Sequence, residues 1–380
     1  MANKKENTSS KKTLLVVLII VLIVVLVGVM IFGYYQGWFD KYLKPQLPPD
    51  GNGDGNGDGN NGDGNNGDGS TIDDMSIHFI NLGANSGDSI YIKAGDVDIL
   101  IDAGAIASHA QIIKDYVDEY CTDGVLEYVI ATHADQDHIA AFVGTTKIAG
   151  ILDVYKCENI IRFARTDKST TVVTNFLAKC DAQQAAGANV YTALECYNNA
   201  NDAQRVYDIA KGIKMEILYQ QYYEKKSSEE NNYSVCLMFT HGDNHYLFTG
   251  DLENEGEASL VEKYPNLPEM ELFKAGHHGS YTSSNETLLS KIKPKYVVAS
   301  CAAGDSYKFP RQEFIDRVAQ YTDKVYVTGV KTDGYGAGIN GNVVFKCING
   351  VISIECSISD LIFKESQWFK DNRTLPTAWQ

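Results

Sequence analysis

The stretch "ATHADQDHIAA" at residues 131–141 places two histidines and two aspartates within six residues. They are His133, Asp135, Asp137 and His138. They directly follow the apolar run "LEYVI", which is typical of a buried strand. The first two side chains lie on one side of an extended segment, and a helix that begins near residue 137 would turn the other two back toward them. Imidazoles and carboxylates at this spacing predict a metal site rather than a solvated capping loop.

Short apolar runs on both sides of this stretch predict further strands. "SIHFINLG", "SIYIKAG" and "VDILIDAG" precede it and read as consecutive antiparallel strands, and "YSVCLMFTHGDNHYLFTGD" reads as a hairpin that turns on "HGDN". Helices are predicted at 106–120, from about 138, at 171–187 and at 200–212. This order of elements predicts an α+β fold with two sheets packed face to face and helices outside.

The N-terminal part of the chain has a different composition. Leu14 to Phe32 is apolar throughout, apart from Gly28, and four lysines precede it. These features predict a transmembrane helix whose N-terminal side faces the cytoplasm. A glycine, asparagine and aspartate repeat follows and predicts a flexible tether. The predicted parts are a cytoplasmic tail at 1–13, a transmembrane helix at 14–33, a flexible linker at 34–73 and an extracytoplasmic globular domain at 74–380.

Charge and cysteine usage narrow the classes of function. The formal net charge of −16 argues against tight, non-specific binding to nucleic acid through phosphate contacts. The eight cysteines include no CxxC pair and none lies beside a histidine, which argues against a zinc finger. Several stand in apolar runs and resemble small buried hydrophobes, whereas an extracytoplasmic domain permits disulfides. The sequence therefore leaves open whether any bridge forms.

The histidine and aspartate pattern resembles the H-x-H-x-D-H signature of the metallo-β-lactamase superfamily. Its form here, H-x-D-x-D-H, is similar to that of the extracellular hydrolase domain of ComEC-type competence proteins. "ILIDAG", "YLFTGD" and "FKAGHHGS" resemble further motifs of that family in the same order, and the similarity spans roughly residues 74–356. The resemblance implies a metallo-β-lactamase-like αββα sandwich for the hydrolase domain at 74–380. One departure is Phe309, which stands where related proteins often carry a histidine before the proline.

The resemblance also implies roles for individual residues. It makes metal ligands of His133, Asp135, Asp137, His138, Asp251 and one or both of His277 and His278. Asp251 would bridge two metal ions, Asp102 would orient the ligand loop, and Lys274 and Ser280 would support the site. The mixture of carboxylates and imidazoles suits two divalent ions, either zinc or manganese. Such a pair would generate a hydroxide nucleophile, and Asp137 would act as the catalytic proton acceptor.

The predicted function is a membrane-anchored, extracytoplasmic, metal-dependent phosphodiesterase, with extracellular DNA as one candidate substrate. The alternative substrate is a cell-wall phosphodiester, either teichoic acid or a phosphorylcholine ester, for which the 23 tyrosines offer rings able to cage a quaternary amine. A third interpretation is a non-catalytic metal-binding surface module. The predicted partners are the membrane, through the N-terminal helix, and a phosphodiester polymer, and no obligate protein partner is inferred.

Overall fold

Two β-sheets form the centre of the domain. The computed structural model describes residues 72–331 and 339–380. The strands of sheet 1 are β1 Met75–Phe79, β2 Ile90–Ala94, β3 Val97–Ile101, β4 Val125–Ala131, β5 Lys156–Arg162, β6 Asn189–Thr192, β14 Val343–Ile348 and β15 Val351–Cys356. The strands of sheet 2 are β7 Val206–Ala210, β8 Ile213–Leu218, β9 Cys236–His241, β10 Asn244–Phe248, β11 Leu272–Lys274, β12 Tyr296–Ala303 and β13 Val325–Val330.

Sheet 1 runs in the order β15-β14-β1-β2-β3-β4-β5-β6, and sheet 2 in the order β13-β12-β11-β10-β9-β8-β7. The helices are α1 His109–Val117, α2 Gln136–Val143, α3 Ile151–Val154, α4 Thr171–Ala185, α5 Ala193–Asn198, α6 Asn254–Lys263, α7 Glu286–Ile292, α8 Gln312–Val318 and α9 Gln367–Asn372. This confirms the mixed α+β fold with two sheets that the sequence predicts.

The strand directions place the ends of several strands at one edge. β1, β2 and β3 are antiparallel neighbours, as predicted, whereas β3, β4, β5 and β6 run parallel. Parallel neighbours need long connections, and α1, α2, α3 and α4 supply them. In sheet 2, β10, β11 and β12 are also parallel. The loops that leave β3, β4, β10 and β11 carry the predicted ligand motifs.

The sheets pack face to face through aromatic side chains. Phe79 of sheet 1 stacks on Phe248 of sheet 2 with ring centroids 6.4 Å apart, and Phe345 meets Tyr246 at 5.6 Å. On the other side of sheet 1, Phe163 contacts Phe176 of α4 at 5.8 Å. Each aromatic ring removes a large apolar area from water, so these contacts help to hold the layers together. All eight cysteines are free thiols, and seven of them are buried.

The predicted helix at 200–212 is wrong. Residues 200–205 form turns, and Val206–Ala210 is strand β7, which pairs with β8. Tyr207 and Ile209 are buried while Asp208 between them is exposed, and this alternation with a period of two belongs to a strand. The predicted helix at 171–187 is confirmed, since α4 covers most of it.

The predicted cytoplasmic tail, the transmembrane helix at 14–33 and nearly all of the linker at 34–73 lie outside the described residues. Across residues 72–331 and 339–380, every helix falls short of the length and apolar character needed to cross a bilayer.

Candidate metal centre

Asp102 joins the end of β3 to the loop that follows β4. Because β3 and β4 are parallel neighbours, their carboxyl ends emerge side by side. The Thr132 N–H donates to Asp102 Oδ1 at 2.8 Å, and the Thr132 hydroxyl donates to Oδ2 at 2.7 Å. His138 Nδ1 lies 2.7 Å from the same Oδ2. A carboxylate can only accept here, so Asp102 fixes the ring of His138 with Nε2 directed away from β3.

Four predicted ligands meet at one point. Ligand atoms of Asp137, His138, Asp251 and His278 all lie within 4.8 Å of one another. Asp251 Oδ2 is 3.2 Å from His138 Nε2 and 3.2 Å from His278 Nε2, and Asp137 Oδ2 is 3.3 Å from His278 Nε2. The structure therefore brings together residues that are more than a hundred positions apart in the chain.

The two adjacent histidines of "GHHG" have different places. His278 Nδ1 donates to the Ser300 carbonyl at 2.8 Å, which leaves Nε2 facing the carboxylates. His277 Nδ1 instead lies 3.1 Å from the Thr282 hydroxyl and 3.5 Å from Glu253 Oε1. Its Nε2 stays 3.8 Å from Asp251 Oδ2, at the edge of the cluster. Of the pair that the sequence could not separate, His278 is the one inside the four-residue cluster.

Carboxylates dominate the electrostatics of the cluster. Burial lowers the pKa of His278, but Asp251 and Asp88 outweigh it and raise that pKa well above its usual value. Burial raises the pKa of Asp251, and His278, His138 and Lys274 then hold it well below its usual range. Asp251 therefore stays ionised over the physiological range, as a metal ligand must.

His133 and Asp135 lie beside this cluster and form a second group of predicted ligands. His133 Nδ1 lies 3.1 Å from the Thr132 hydroxyl, and its Nε2 is 3.8 Å from Asp135 Oδ2. Burial, helped by His138, lowers the pKa of His133 to about 4, so the ring is neutral near pH 7 and offers a lone pair. The other oxygen of Asp135 contacts the ammonium of Lys168, a partner that was not predicted.

A buried ion network lies behind Asp251, and it includes Asp88, a residue that was not predicted. Lys274 Nζ is 2.5 Å from Asp88 Oδ2, 3.4 Å from Asp251 Oδ1 and 3.1 Å from the Gly250 carbonyl. Asp88 and Lys274 are both 1% exposed. The resemblance gives Lys274 a supporting role, and the structure places its ammonium beside Asp251. Asp88 stands in "SGDSIYI" without any other ligand-type residue nearby, and only its place before β2 could have drawn attention to it.

Ser280 acts one step further away. Its hydroxyl oxygen accepts from the Thr282 N–H at 3.2 Å and lies 3.0 Å from the Thr282 hydroxyl. Thr282 is in turn the residue that contacts His277. Ser280 therefore shapes the turn after the histidine pair and does not contact the cluster itself.

The residues present fit divalent metal ions. His133 Nε2 is buried without a hydrogen-bond partner among the described residues, which is costly unless something binds it. His278 Nε2 is buried with the carboxylates of Asp137 and Asp251 3.3 Å and 3.2 Å away. Both face carboxylates, and mixed nitrogen and oxygen donors suit zinc or manganese. Asp88, Asp102 and His138 form a neighbouring trio, but Asp102 already engages His138 Nδ1 and Lys274 already engages Asp88, so the trio is not a separate site.

The cluster opens into a cavity of about 470 Å³. Asp135, Asp137, Asp251 and His277 contribute to its lining on one side, and Tyr307 and Phe309 contribute on another. Phe309, in the position where related proteins often have histidine, packs against the rings of both His277 and His278. The cavity gives a substrate access to the predicted ligands.

Comparison with known proteins agrees with this geometry. Residues 229–303 match the metallo-beta-lactamase superfamily. The chain is 26% identical to competence protein ComA of Neisseria gonorrhoeae, over 67% of this chain and 30% of that protein. It is 24% identical to ComE operon protein 3 of Bacillus subtilis, over 60% of this chain and 25% of that protein. The chain thus spans less than a third of the length of these relatives.

Among solved structures, the metallo-beta-lactamase fold protein YhfI of Bacillus subtilis aligns with a TM-score of 0.44 and 12% identity, over 72% of this chain and 99% of that one. The matched segment 229–303 contains Asp251, His277 and His278. Residues 229–303 therefore match a metallo-β-lactamase superfamily domain, and the chain is similar in sequence to competence proteins of the ComEC type.

Proposed function

We propose that the chain is a metal-dependent phosphodiesterase that acts on extracellular nucleic acid. The observation that carries the proposal is the convergence of Asp137, His138, Asp251 and His278, with ligand atoms within 4.8 Å, beside an accessible cavity. These donors come from distant loops, and the neighbouring His133 Nε2 is buried without a hydrogen-bond partner among the described residues, an arrangement that is costly without a ligand. The sequence similarity to competence proteins supports a nucleic-acid substrate.

The donor set divides into two groups. Asp137, His138 and His278 would hold one divalent ion, His133 and Asp135 would hold a second, and Asp251 would serve both. When bound, paired divalent ions supply a water of lowered pKa and positive charge for the phosphodiester oxygens. Zinc and manganese both suit these ligands.

The protein's own side chains would position and neutralise the reacting groups. Asp102 holds the His138 ring, and Lys274 balances the charge of Asp251 from behind. Burial raises the pKa of Asp137, but His138 and His278 outweigh it and hold that pKa below its usual value. The Asp137 side chain is 38% exposed and lines the cavity. Asp137 is thus ionised and within reach of water, as a proton acceptor must be.

The location forms part of the proposal. Residues 14–33 would anchor the chain in the membrane, residues 34–73 would form a tether, and the hydrolase domain at 74–380 would lie outside the cytoplasm. The apolar run from Leu14 and the four lysines before it support this arrangement. The bilayer and a phosphodiester polymer are the proposed partners.

Hydrolysis of bis(p-nitrophenyl) phosphate by the full-length chain, stripped of metal and then given manganese or zinc, tests the activity. We expect turnover that Asp251→Ala abolishes. Asp243→Asn, an exposed aspartate in the β9–β10 turn, is the matched control and should behave like the wild type. Absence of turnover with every metal, while the ions still bind, would favour the non-catalytic metal-binding module.

The alternative substrate is a cell-wall phosphodiester. Comparing a single-stranded oligonucleotide with a phosphorylcholine ester under the same conditions separates the two. Faster turnover of the choline ester would replace nucleic acid with a cell-wall polymer in the proposal, and would leave the hydrolase assignment intact.

A further inference from the structure

The loop that follows β12 carries a stacked aromatic pair. The rings of Tyr307 and Phe309 have centroids 5.5 Å apart and planes only 16° from parallel. Phe309 is buried, and its ring lies 5.8 Å from that of His278. Tyr307 is 67% exposed and lines the same cavity as Asp137. A row of rings therefore leads from the metal centre to a solvent-exposed tyrosine.

Hydrogen bonds fix the backbone of the loop on both sides of Tyr307. Asp305 Oδ1 accepts from the N–H groups of Tyr307 at 2.9 Å and Phe309 at 3.3 Å, and its Oδ2 accepts from the Ser86 hydroxyl at 2.5 Å. Arg311 donates to the Tyr307 carbonyl at 2.9 Å. An isolated exposed tyrosine is ordinary on a protein surface. Tyr307 stacks on Phe309, its backbone is held by Asp305 and Arg311, and it lines the cavity, so its ring is preorganised to receive another flat ring.

The solvent-accessible charges of this loop are positive, whereas the metal side of the cavity is acidic. Lys308 lies between the two aromatic residues, and Lys331 lines the cavity. The Arg311 guanidinium lies 5.3 Å from the ring centroid of Tyr281, another exposed tyrosine. Asp305, the acidic residue of the loop, is buried and occupied by its hydrogen bonds. These cations disfavour a quaternary amine on Tyr307 and favour a strand of phosphates.

We infer that Tyr307 is a stacking platform for an unpaired base of the substrate, next to the phosphodiester that the metal centre cleaves. The inference rests on the proposed function and names its substrate class as single-stranded nucleic acid. Bases in a duplex are already stacked on both faces, whereas those of a single strand can lie against an aromatic side chain. Stacking of this kind tolerates any base sequence and works beside basic residues that follow the backbone.

Fluorescence anisotropy with the full-length chain tests the platform without requiring turnover. The probes are a labelled single-stranded oligonucleotide and an abasic strand of the same length and charge. We expect the wild type to prefer the base-bearing strand. Tyr307→Ala should weaken binding of that strand roughly tenfold while leaving the abasic strand unchanged, and Tyr307→Phe should retain wild-type binding because the ring is kept. Tyr191→Ala, at a half-buried tyrosine of the edge strand β6 that does not line the cavity, is the tyrosine control.

The inference would be overturned if the wild type bound the two strands equally, or if Tyr307→Ala weakened the binding of both strands equally. Displacement of the bound oligonucleotide by phosphorylcholine would also overturn it. Kinetics separate this inference from the proposed function. If the wild type hydrolyses the oligonucleotide, Tyr307→Ala should raise KM with little change in kcat. If the wild type hydrolyses no phosphodiester yet still prefers the base-bearing strand, the proposed function fails and the platform stands.

Discussion

Asp102 Oδ2 lies 2.7 Å from His138 Nδ1, and this contact fixes which nitrogen of the ring faces Asp251. The relationship depends on register, because the parallel pairing of β3 with β4 sets the carboxyl end of one strand beside the ligand loop of the other. Asp102 adopts a left-handed backbone conformation with φ of +59°, which is uncommon for a residue with a side chain. This unfavourable backbone conformation occurs at the residue that holds the ligand loop.

Substitution of Asp102 by asparagine should weaken metal binding. An amide offers one acceptor where the carboxylate satisfies three donors, so the His138 ring loses its fixed orientation. We expect affinity for manganese or zinc to fall by about 10- to 100-fold, measured by competition with a chromogenic chelator. Asp96→Asn, in the exposed β2–β3 turn, is the control. Unchanged affinity in Asp102→Asn would contradict the role.

The two adjacent histidines should differ in the number of metal ions that they support. His278→Ala should lose at least one bound ion per chain, because His278 Nε2 lies within the four-residue cluster. His277→Ala should retain the wild-type stoichiometry, since its Nδ1 is engaged by Thr282 and Glu253. Elemental analysis of the purified proteins measures both. Loss of metal from His277→Ala alone would reverse the assignment.

Metal removal should lower thermal stability. The ligands come from loops of both sheets, so an ion binds the folded chain and not the unfolded one. At a metal concentration of 100 times Kd, linkage predicts stabilisation by about 2.7 kcal/mol. For a domain of this size, that corresponds to a rise in Tm of roughly 5 °C or more. Differential scanning calorimetry with chelator and with manganese measures the change, and Asp251→Ala should show no rise.

The Lys274 ammonium should stabilise the fold even when no metal is bound. Lys274→Met leaves Asp88 and Asp251 as neighbouring buried carboxylates, and an uncompensated buried charge costs about 3–5 kcal/mol. Urea unfolding of the metal-free protein measures the loss. The double variant Lys274→Met, Asp88→Asn should be more stable than Lys274→Met alone, because one of the two stranded charges is gone. A double variant that is less stable than the single would show that charge is not the cause.

Glu257 of α6 should make stability depend on pH. Burial raises its pKa from 4.5 to about 7, although the N–H groups of Asn285 and Ser284 oppose the shift. A carboxyl whose pKa is raised by folding stabilises the fold fully below the unfolded value. That contribution is lost as pH rises from about 4.5 through 7. Glu257→Gln should flatten the decline of Tm across this window. If the slope of Tm against pH were identical in both proteins, Glu257 would not be the source of the pH dependence.

Much of the centre was predictable because its ligands stand in local patterns. His133 to His138 share one strand-to-helix turn, "FTGD" begins at the last residue of β10, and "GHHG" follows β11. Asp88 was not predictable, since it stands in a loop that has no other metal-binding residue type at short spacing. Lys168 was not predictable either, because lysine is not a usual metal ligand and its contact with Asp135 joins residues 33 positions apart. The strand Val206–Ala210 was mistaken for a helix because its neighbours are good helix formers. Pairing with β8 outweighs that propensity.

The eight free thiols determine which redox conditions the domain needs for folding. Burial raises the pKa of Cys157 and of Cys180 to about 12, so almost no reactive thiolate is present at neutral pH. The sheets are joined by packed rings instead of covalent bridges. Folding therefore needs no oxidant, and the domain should reach its native state equally well in a reducing cell extract and in an oxidising buffer.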